Sequence, residues 1–363
     1  MNGARIVGPV RVVGSGLLGA SVGLGLRAAG VDVIVADSSP ANQRLAIDYG
    51  AGRAAKDTDN PALVVVAVPP DVTAQVIAAE LAAWPDALVT DVASVKVAPL
   101  AELRALGADV DRYIGSHPLA GRERGGAISA RGDLFVGRPW VITSHDDSSA
   151  TRVGVIEALA LDLGAVPVLM SPEQHDASVA LVSHVPQVVS SLLAKQLIGA
   201  AESSVSLAGG GLRDTTRIAS SDPELWVQIL GANAEPVITI LQDYLRDLVS
   251  LVDTLSTLDE PGARRKLAEL LAGGNSGVAR IPGKHGQDRR YNQVVVMVDD
   301  KPGELGRLFT EVGNIGVNLE DLRLEHSPAA QIGLAEISVL PELEQVLVAG
   351  LEARGWRIVQ AGA

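Results

Sequence analysis

The sequence predicts a doubly wound α/β sheet, then an all-α segment, then a small α+β unit. Three observations predict it. Short β-rich runs alternate with helical stretches up to about residue 170. Strand signals stop from about Ser171 to Leu271, where long helical patterns follow. After Tyr291 a compact βαββαβ order closes the chain.

The runs VRVV (10–13), VDVIVA (31–36), ALVVVAV (62–68), ALVTDV (87–92) and WVITS (140–144) read as strands, and YIGSHPLAG ends another. Two are nearly all apolar, as expected where both faces of a parallel sheet are covered. Between the first two lies LLGASVGLGLRAAG, a helix that stops at Gly30. This βαβ order predicts a parallel sheet. In the helical segment, Asp222-Pro223-Glu224 is a strong helix start: a cap, a first-turn proline, and an acid at the positive end. GGNSGVARIPGKHGQDRR (273–290) is polar, glycine-rich and aperiodic, and reads as a linker. In the last unit VVVMV, VNLEDLRLEH, QIGLAEISVL and WRIVQ read as strands. ELGRLFTEVGNIG and ELEQVLVAGLEARG read as helices. The expected domains are 1–170, 171–272, the linker 273–290, and 291–363.

Composition narrows the function. With 47 % hydrophobic and 20 % charged residues, the 363-residue chain can bury full cores. A net charge of -13 argues against a nucleic-acid partner. Cys is absent, so disulfides and thiolate metal sites are excluded. MNGARIVGPVRVVG lacks the pattern of a signal peptide, and no uncharged apolar run reads as long enough to span a bilayer. The expected location is the cytoplasm, with no membrane partner.

VRVVGSGLLGASVG sets Gly14, Gly16 and Gly19 at GxGxxG spacing, after a strand and opening a helix. Gly14 permits the tight turn, Gly16 the approach of a pyrophosphate, and Gly19 close helix packing. Ser15, Leu17 and Leu18 complete the loop, whose helix N-terminus offers amide donors. Asp37 ends the second strand about 20 residues on, where an acid binds ribose hydroxyls and repels a 2′-phosphate. The pattern is that of a Rossmann-type domain and favours NAD over NADP. A bare glycine turn with a helix-capping Asp would not require all five features together.

DVASVK and YIGSHPLAG bring Ser94 and His117 to the carboxyl edge of the sheet, where ligands bind. His117 precedes Pro118, which favours an extended backbone. A neutral histidine there can act as a base near pH 7. The plainer readings are a helix N-cap for Ser94 and a surface loop residue for His117. HDASVALVSHVPQVVSSLLA carries Ser183, His184 and Gln187, the last two on one helical face. Pro186 removes a backbone donor and frees the Val182 carbonyl, so a kinked core helix is the plainer reading. In GGGLRDTTRIASSDPELW, Arg213 and Arg217 are four apart and can point one way toward a carboxylate. Salt bridges to Asp214 and its neighbours are the alternative.

These blocks resemble one family, prephenate dehydrogenase and its relative arogenate dehydrogenase, of tyrosine biosynthesis. VVGSGLLGASVG, VPP, DVASVK, SHPLAGRERGG, HDASVALVSHVP and GGGLRDTTRIASSDPELW occur in the family's order across most of residues 10–230. The resemblance implies metal-free oxidative decarboxylation of prephenate with NAD, in which His117 bonds the ring hydroxyl and Ser94 contacts both. It implies that Arg217 binds a substrate carboxylate, with Arg213 where a lysine is common. Glu123 stands at the site mouth, and Ser183, His184, Gln187 and Gly210 line it. Val68 and Pro69 join the glycine loop and Asp37 on the cofactor. Gln187 replaces a histidine common in the family, which leaves arogenate open as an alternative substrate.

Two other readings compete with this one. A β-hydroxyacid dehydrogenase would need a catalytic lysine, and nothing marks Lys195 as one. A non-enzymatic sensor would not need Ser94, His117 and Arg217 together. The last unit resembles an ACT domain, an amino-acid-sensing module. That resemblance implies feedback by tyrosine at Asp300, Gly303 and Leu305 and at Gly316 and Asn318. It also implies a homodimer.

Overall fold

The computed structural model describes residues 4–120, 126–281, 291–326 and 332–362. The chain divides into two compact units: residues 1–198 with 216–245, and residues 199–215 with 246–363.

The first unit opens with β1 (Val10–Val13), α1 (Leu17–Ala28), β2 (Val33–Ala36), α2 (Pro40–Asp48), β3 (Leu63–Val66) and α3 (Thr73–Ala83). It continues with β4 (Leu88–Asp91), α4 (Val97–Ala105), β5 (Tyr113–Pro118), β6 (Pro139–Thr143), α5 (Ala150–Asp162) and β7 (Val166–Met170). The seven strands lie in the order β2-β1-β3-β4-β5-β6-β7. β1 sits between β2 and β3, so the chain reverses direction across the sheet there, and a crevice opens beyond its carboxyl edge. All four β3 residues are buried, which explains their unbroken apolar run.

The all-parallel expectation is corrected at one place. β1 to β5 are parallel, but β6 runs antiparallel to β5, with Gly115 opposite Thr143 and Pro118 opposite Trp140. Among the described residues, only a 3₁₀ turn at Ala127–Ser129 separates them. With no crossover helix among the described residues, the chain returns in the opposite sense. α5 then restores a parallel β6–β7 pair. β7, in the run AVPVLM, is not among the strands expected from the sequence. It tolerates Pro167 because it is an edge strand.

α6 (Pro172–Val179) follows, then a π-helical turn at Ala180–His184, then α7 (Val185–Lys195). The Val185 N–H reaches back to the Ala180 carbonyl. That five-residue step absorbs the disruption due to Pro186, where a kink was expected. The expectation of no membrane-length apolar segment is also corrected. An 18-residue window within the helical run Pro172–Gly199 has mean hydropathy 1.5, enough by length and composition alone. It also buries His175, Asp176, His184, Gln187 and Ser190, so polar groups interrupt its apolar face.

α8 (Glu202–Val205), α9 (Gly210–Thr216), α10 (Pro223–Ala232), α11 (Ala234–Ser256) and α12 (Ala263–Val278) complete the helical part. Asp222 caps α10 as expected, accepting the Glu224 N–H. The expected linker at 273–290 is corrected in its first part, because α12 continues to Val278. ARRKLAELLA nucleates a strong helix, and each added residue then costs little beyond its propensity. Residues 282–290 lie outside the described ones.

In the second unit β8 (Asn292–Asp299), α13 (Glu304–Ile315), β9 (Asp321–His326), β10 (Ile332–Val339), α14 (Glu344–Glu352) and β11 (Arg357–Gly362) give the expected βαββαβ order. The sheet is antiparallel in the order β11-β8-β10-β9. Val294, Val296 and Val298 alternate inward onto Leu308, Leu347 and Leu351. β9 starts at Asp321, later than expected, so Asn318 precedes the strand. Gly303 and Gly316 flank α13 with φ of +91° and +83°, which accounts for glycine at both. Asp300 and Asn318 are exposed, Leu305 is half-buried, and the Asn318 amide donates to Glu320.

Candidate active site

The glycine loop is built as its spacing requires. Gly14 has φ +94°, and a Cβ there would lie 2.3 Å from the Ala67 carbonyl. A Cβ on Gly19 would lie 1.9 Å from the Gly14 carbonyl. One on Gly16 meets nothing within 4 Å. The first two glycines therefore serve the fold, and the third leaves open space at the start of α1. Gly16 is the N-cap of α1, with no side-chain cap, so the first-turn amides of Leu17, Leu18 and Gly19 remain for an anion. Asp37 is pinned beside them. Its Oδ2 accepts the Ser15 N–H (2.7 Å) and hydroxyl (2.6 Å), and its Oδ1 accepts the Ser39 N–H (2.8 Å). Val68 is half-buried and Pro69 exposed just beyond β3, on the same edge. These residues fit a dinucleotide: open backbone for the phosphates, and an oriented carboxylate for a ribose.

His117 lies near the end of β5 and is partly buried. Its Nδ1 is 2.9 Å from Nε2 of His175, whose Nδ1 is 2.7 Å from Asp176 Oδ1. Asp176 in turn accepts the Lys96 N–H on Oδ1 (2.8 Å) and the Val97 N–H on Oδ2 (2.9 Å). It thereby caps α4 from another helix. Nε2 of His117 has no hydrogen-bond partner among the described residues. Burial holds the His117 pKa well below the usual histidine range, and His175, Lys96 and His184 add to this. Burial also lowers the His175 pKa, against its bond to Asp176.

Behind this chain lies a second buried cluster. Lys96 Nζ pairs with Asp91 Oδ2 at the end of β4, both fully buried. Asp91 also accepts the Tyr113 hydroxyl (2.8 Å) and the Ser116 and Ala93 N–H groups. Burial lowers the Lys96 pKa, partly countered by Asp91, and raises that of Tyr113. The Ser116 hydroxyl ties β5 to the Asp91 carbonyl at 2.7 Å. β4, β5 and α6 are thus locked where the histidines meet.

Ser94 is half-buried in the β4–α4 loop, and its hydroxyl bonds no described residue, His117 included. Its reading as a helix cap is corrected: the cap position is Lys96 and the capping acceptor is Asp176. His184 is 2 % exposed. Its Nδ1 accepts from Asn233, and its ring stands edge-on to Trp226 at 5.9 Å. Burial lowers its pKa to about 4. The π turn ends at His184, so its regular helical spacing to Gln187 does not extend upstream. Gln187 is buried, near the hydroxyls of Ser191 and Ser221, while Ser183 is exposed. Arg217 is exposed and opens a 3₁₀ turn, Arg217–Ser220, in the first unit. Gly210 and Arg213 lie on α9 in the second unit. The α-helical period ends at Thr216, so Arg213 and Arg217 do not share one α-helix. Glu123 lies outside the described residues.

Sequence reasoning gave no role to His175, Asp176, Asp91 or Lys96. Asp91 carried a faint signal, as a carboxylate at the end of an apolar strand run. His175 and Asp176 looked like ordinary polar residues of a helix start.

Comparison with known proteins matches residues 22–169 to the prephenate dehydrogenase nucleotide-binding domain, and 171–272 to the prephenate dehydrogenase dimerization domain. The glycine loop precedes the first match, so its assignment rests on the geometry above. The probable prephenate dehydrogenase NovF of Streptomyces niveus is 37 % identical over 355 residues, covering 95 % of this chain and 98 % of that protein. A prephenate dehydrogenase from A. aeolicus, solved with hydroxyphenyl propionate and NAD+, is 28 % identical with a TM-score of 0.65. The match covers 74 % of this chain and 97 % of that one. Synechocystis arogenate dehydrogenase is 28 % identical with a TM-score of 0.60, over 74 % and 99 % of the two chains.

Proposed function

The chain belongs to the prephenate dehydrogenase family, and from that premise we propose that it converts prephenate to 4-hydroxyphenylpyruvate by NAD-dependent oxidative decarboxylation. The observation that carries the assignment of roles is His117. It stands at the carboxyl edge of the sheet, held through Nδ1, with no partner for Nε2 among the described residues. Bound NAD supplies the hydride acceptor. His117 supplies the base: Nε2 accepts the proton of the ring hydroxyl, and its depressed pKa keeps it neutral at pH 7. Loss of the ring carboxylate as CO₂ leaves an aromatic ring, which drives the reaction forward.

Arg217 pairs a substrate carboxylate; Arg213 and Gly210 are substrate residues by the family resemblance alone. Ser94 serves the hydroxyl, and Glu123 the mouth of the site. Ser183 and Gln187 contact the substrate side chain, with His184 behind them. A neutral amide at Gln187 can bond a keto acid or an amino acid. Arogenate is therefore the second reading, supported by the likeness to an arogenate dehydrogenase. Side-by-side kcat/KM values with NAD test the choice. A value for arogenate well above that for prephenate overturns it.

The C-terminal unit is read as an ACT-like tyrosine sensor. Its βαββαβ order and the loops at Asp300, Gly303, Leu305, Gly316 and Asn318 support this. A homodimer through the helical part is supported by the dimerization-domain match and by the apolar residues that α11 exposes, Leu245, Leu248, Val252 and Leu255 among them. Tyrosine inhibition beyond simple competition, and its loss on truncation after residue 281, test the sensor.

A further inference from the structure

We propose that His175 and Asp176 are positioning residues that fix the tautomer of His117, so that its Nε2 always presents a lone pair to the substrate. The proposal rests on His117 being the base. It deepens that reading by naming what makes the base competent.

The argument is one of donors and acceptors. Asp176 already accepts a backbone N–H on each oxygen, from Lys96 and Val97. A carboxylate has only acceptors to offer, so the third contact, at Oδ1, must be donated by Nδ1–H of His175. A neutral imidazole has one N–H. With it spent on Asp176, Nε2 of His175 can only accept. The 2.9 Å contact to His117 is then made by Nδ1–H of His117. That leaves the His117 Nε2 without a proton, which is the form a base requires.

The chain is built to hold this order. His175 is fully buried and Asp176 is 3 % exposed, so water cannot substitute for either partner. Asp176 is anchored twice more through its own backbone. Its N–H lies within α6, and its carbonyl accepts from Asn233 at 2.9 Å. The rings of His117 and His175 meet edge-on, with centroids 5.1 Å apart, so the nitrogens point at each other. The other charged or titratable groups facing the pair are Lys96, Asp91 and His184. None of them makes a hydrogen bond to either ring. Asp176 alone sets the direction. When His117 takes the substrate proton, its Nδ1–H bond to His175 stays in place, so only Nε2 changes.

The test is Asp176→Asn. An asparagine can keep one oxygen on the backbone amides and turn its NH₂ toward His175. His175 Nδ1 must then accept, so Nε2–H donates to His117, and the proton of His117 moves to Nε2. The expected result is a kcat lower by roughly 10²–10⁴-fold, the range for a positioned base, with KM and NAD affinity nearly unchanged. ¹⁵N-histidine NMR reads the same event without activity. The wild type should show His117 as the Nδ1–H tautomer, and Asp176→Asn as the Nε2–H tautomer. With only 6 His in the chain, single His→Gln variants assign the signals. Because Asp176 also caps α4, a second pair guards against misfolding. His175→Gln can still present an acceptor to His117 and should recover at least part of the kcat that His175→Leu loses. A wild-type His117 protonated on Nε2 overturns the proposal. So does a folded Asp176→Asn protein with unchanged tautomer and kcat, or equal kcat in the two His175 variants. Full activity of His117→Asn would instead remove the base itself, a separate failure.

Discussion

The glycine loop and the histidine chain lie on one edge of one sheet, yet they are built by opposite means. The loop works through backbone. Its specificity lies in where side chains are missing, and its parts fall within Val10–Ala36 and the Asp37 that follows. The histidine chain works through side chains, anchored at its far end on two backbone amides. Its members come from β5, α6 and the start of α4, separated by up to 80 residues. The difference teaches where each can fail. A substitution in the loop acts on the turn or on the ligand, and the two can be told apart. One in the histidine chain acts on a proton's position, which no other part of the fold can restore.

The largest expected effect comes from the end of that chain. His117→Asn should lower kcat by roughly 10²–10⁴-fold and leave NAD affinity near that of the wild type. Steady-state kinetics with equilibrium NAD titration checks it. Weakened NAD binding of similar size would join the two regions into one site and break the comparison. Next is Asp37. With its carboxylate fixed by Ser15 and Ser39, NAD should be strongly preferred over NADP. Asp37→Ser removes the charge that repels a 2′-phosphate and should narrow the preference by roughly tenfold or more, about 1.4 kcal/mol. Equal use of both cofactors by the wild type would contradict the ribose assignment.

The contrast also explains what the sequence could show. The loop was legible because strand, glycines, helix and acid are close in sequence, and each has a local steric reason. His117 and Ser94 were legible from strand ends and the sheet-edge rule. His175 and Asp176 were not, because nothing in HDASV says which way a helix will face once it packs. Only the tertiary meeting of α6 with α4 and β5 turns Asp176 from a helix-start acid into a cap for another helix. The antiparallel β6 was hidden for a related reason. A missing crossover helix is harder to read than a present one.

Two glycines sharpen the comparison inside the loop. Gly19→Ala drives a Cβ to 1.9 Å from a backbone oxygen, so the helix or the turn must move. It should destabilise the fold by about 1–3 kcal/mol, as overpacking does, and lower Tm. Gly16→Ala meets nothing in the protein. It should leave Tm almost unchanged, yet weaken NAD binding by about tenfold, because its methyl group occupies the space the phosphates need. Thermal melts with and without NAD separate the two. Equal Tm losses would mean that Gly16 serves the fold and not the ligand.

The smallest expected effect is on stability against acid, and it falls on the buried histidines, those of the chain and His184. Burial depresses the pKa values of His117, His175 and His184, the last to about 4. In the unfolded chain each titrates near 6.5. Above that pH both states are neutral at these sites, and they contribute no slope. Below it the unfolded chain binds protons that the folded one refuses, so stability falls as the pH drops. For His184 the loss runs from about 6.5 down to about 4, where the folded ring charges too. The glycine loop has no histidine and should show none of this. Tm should therefore decline as pH drops from about 7 to about 5, and His184→Gln should flatten the decline while leaving the pH 7 NAD affinity unchanged. Carboxylates titrate mostly below that window, which keeps the histidine contribution readable. A flat Tm across it, or an unaltered decline in His184→Gln, would show that His184 titrates in the folded protein as it does in water.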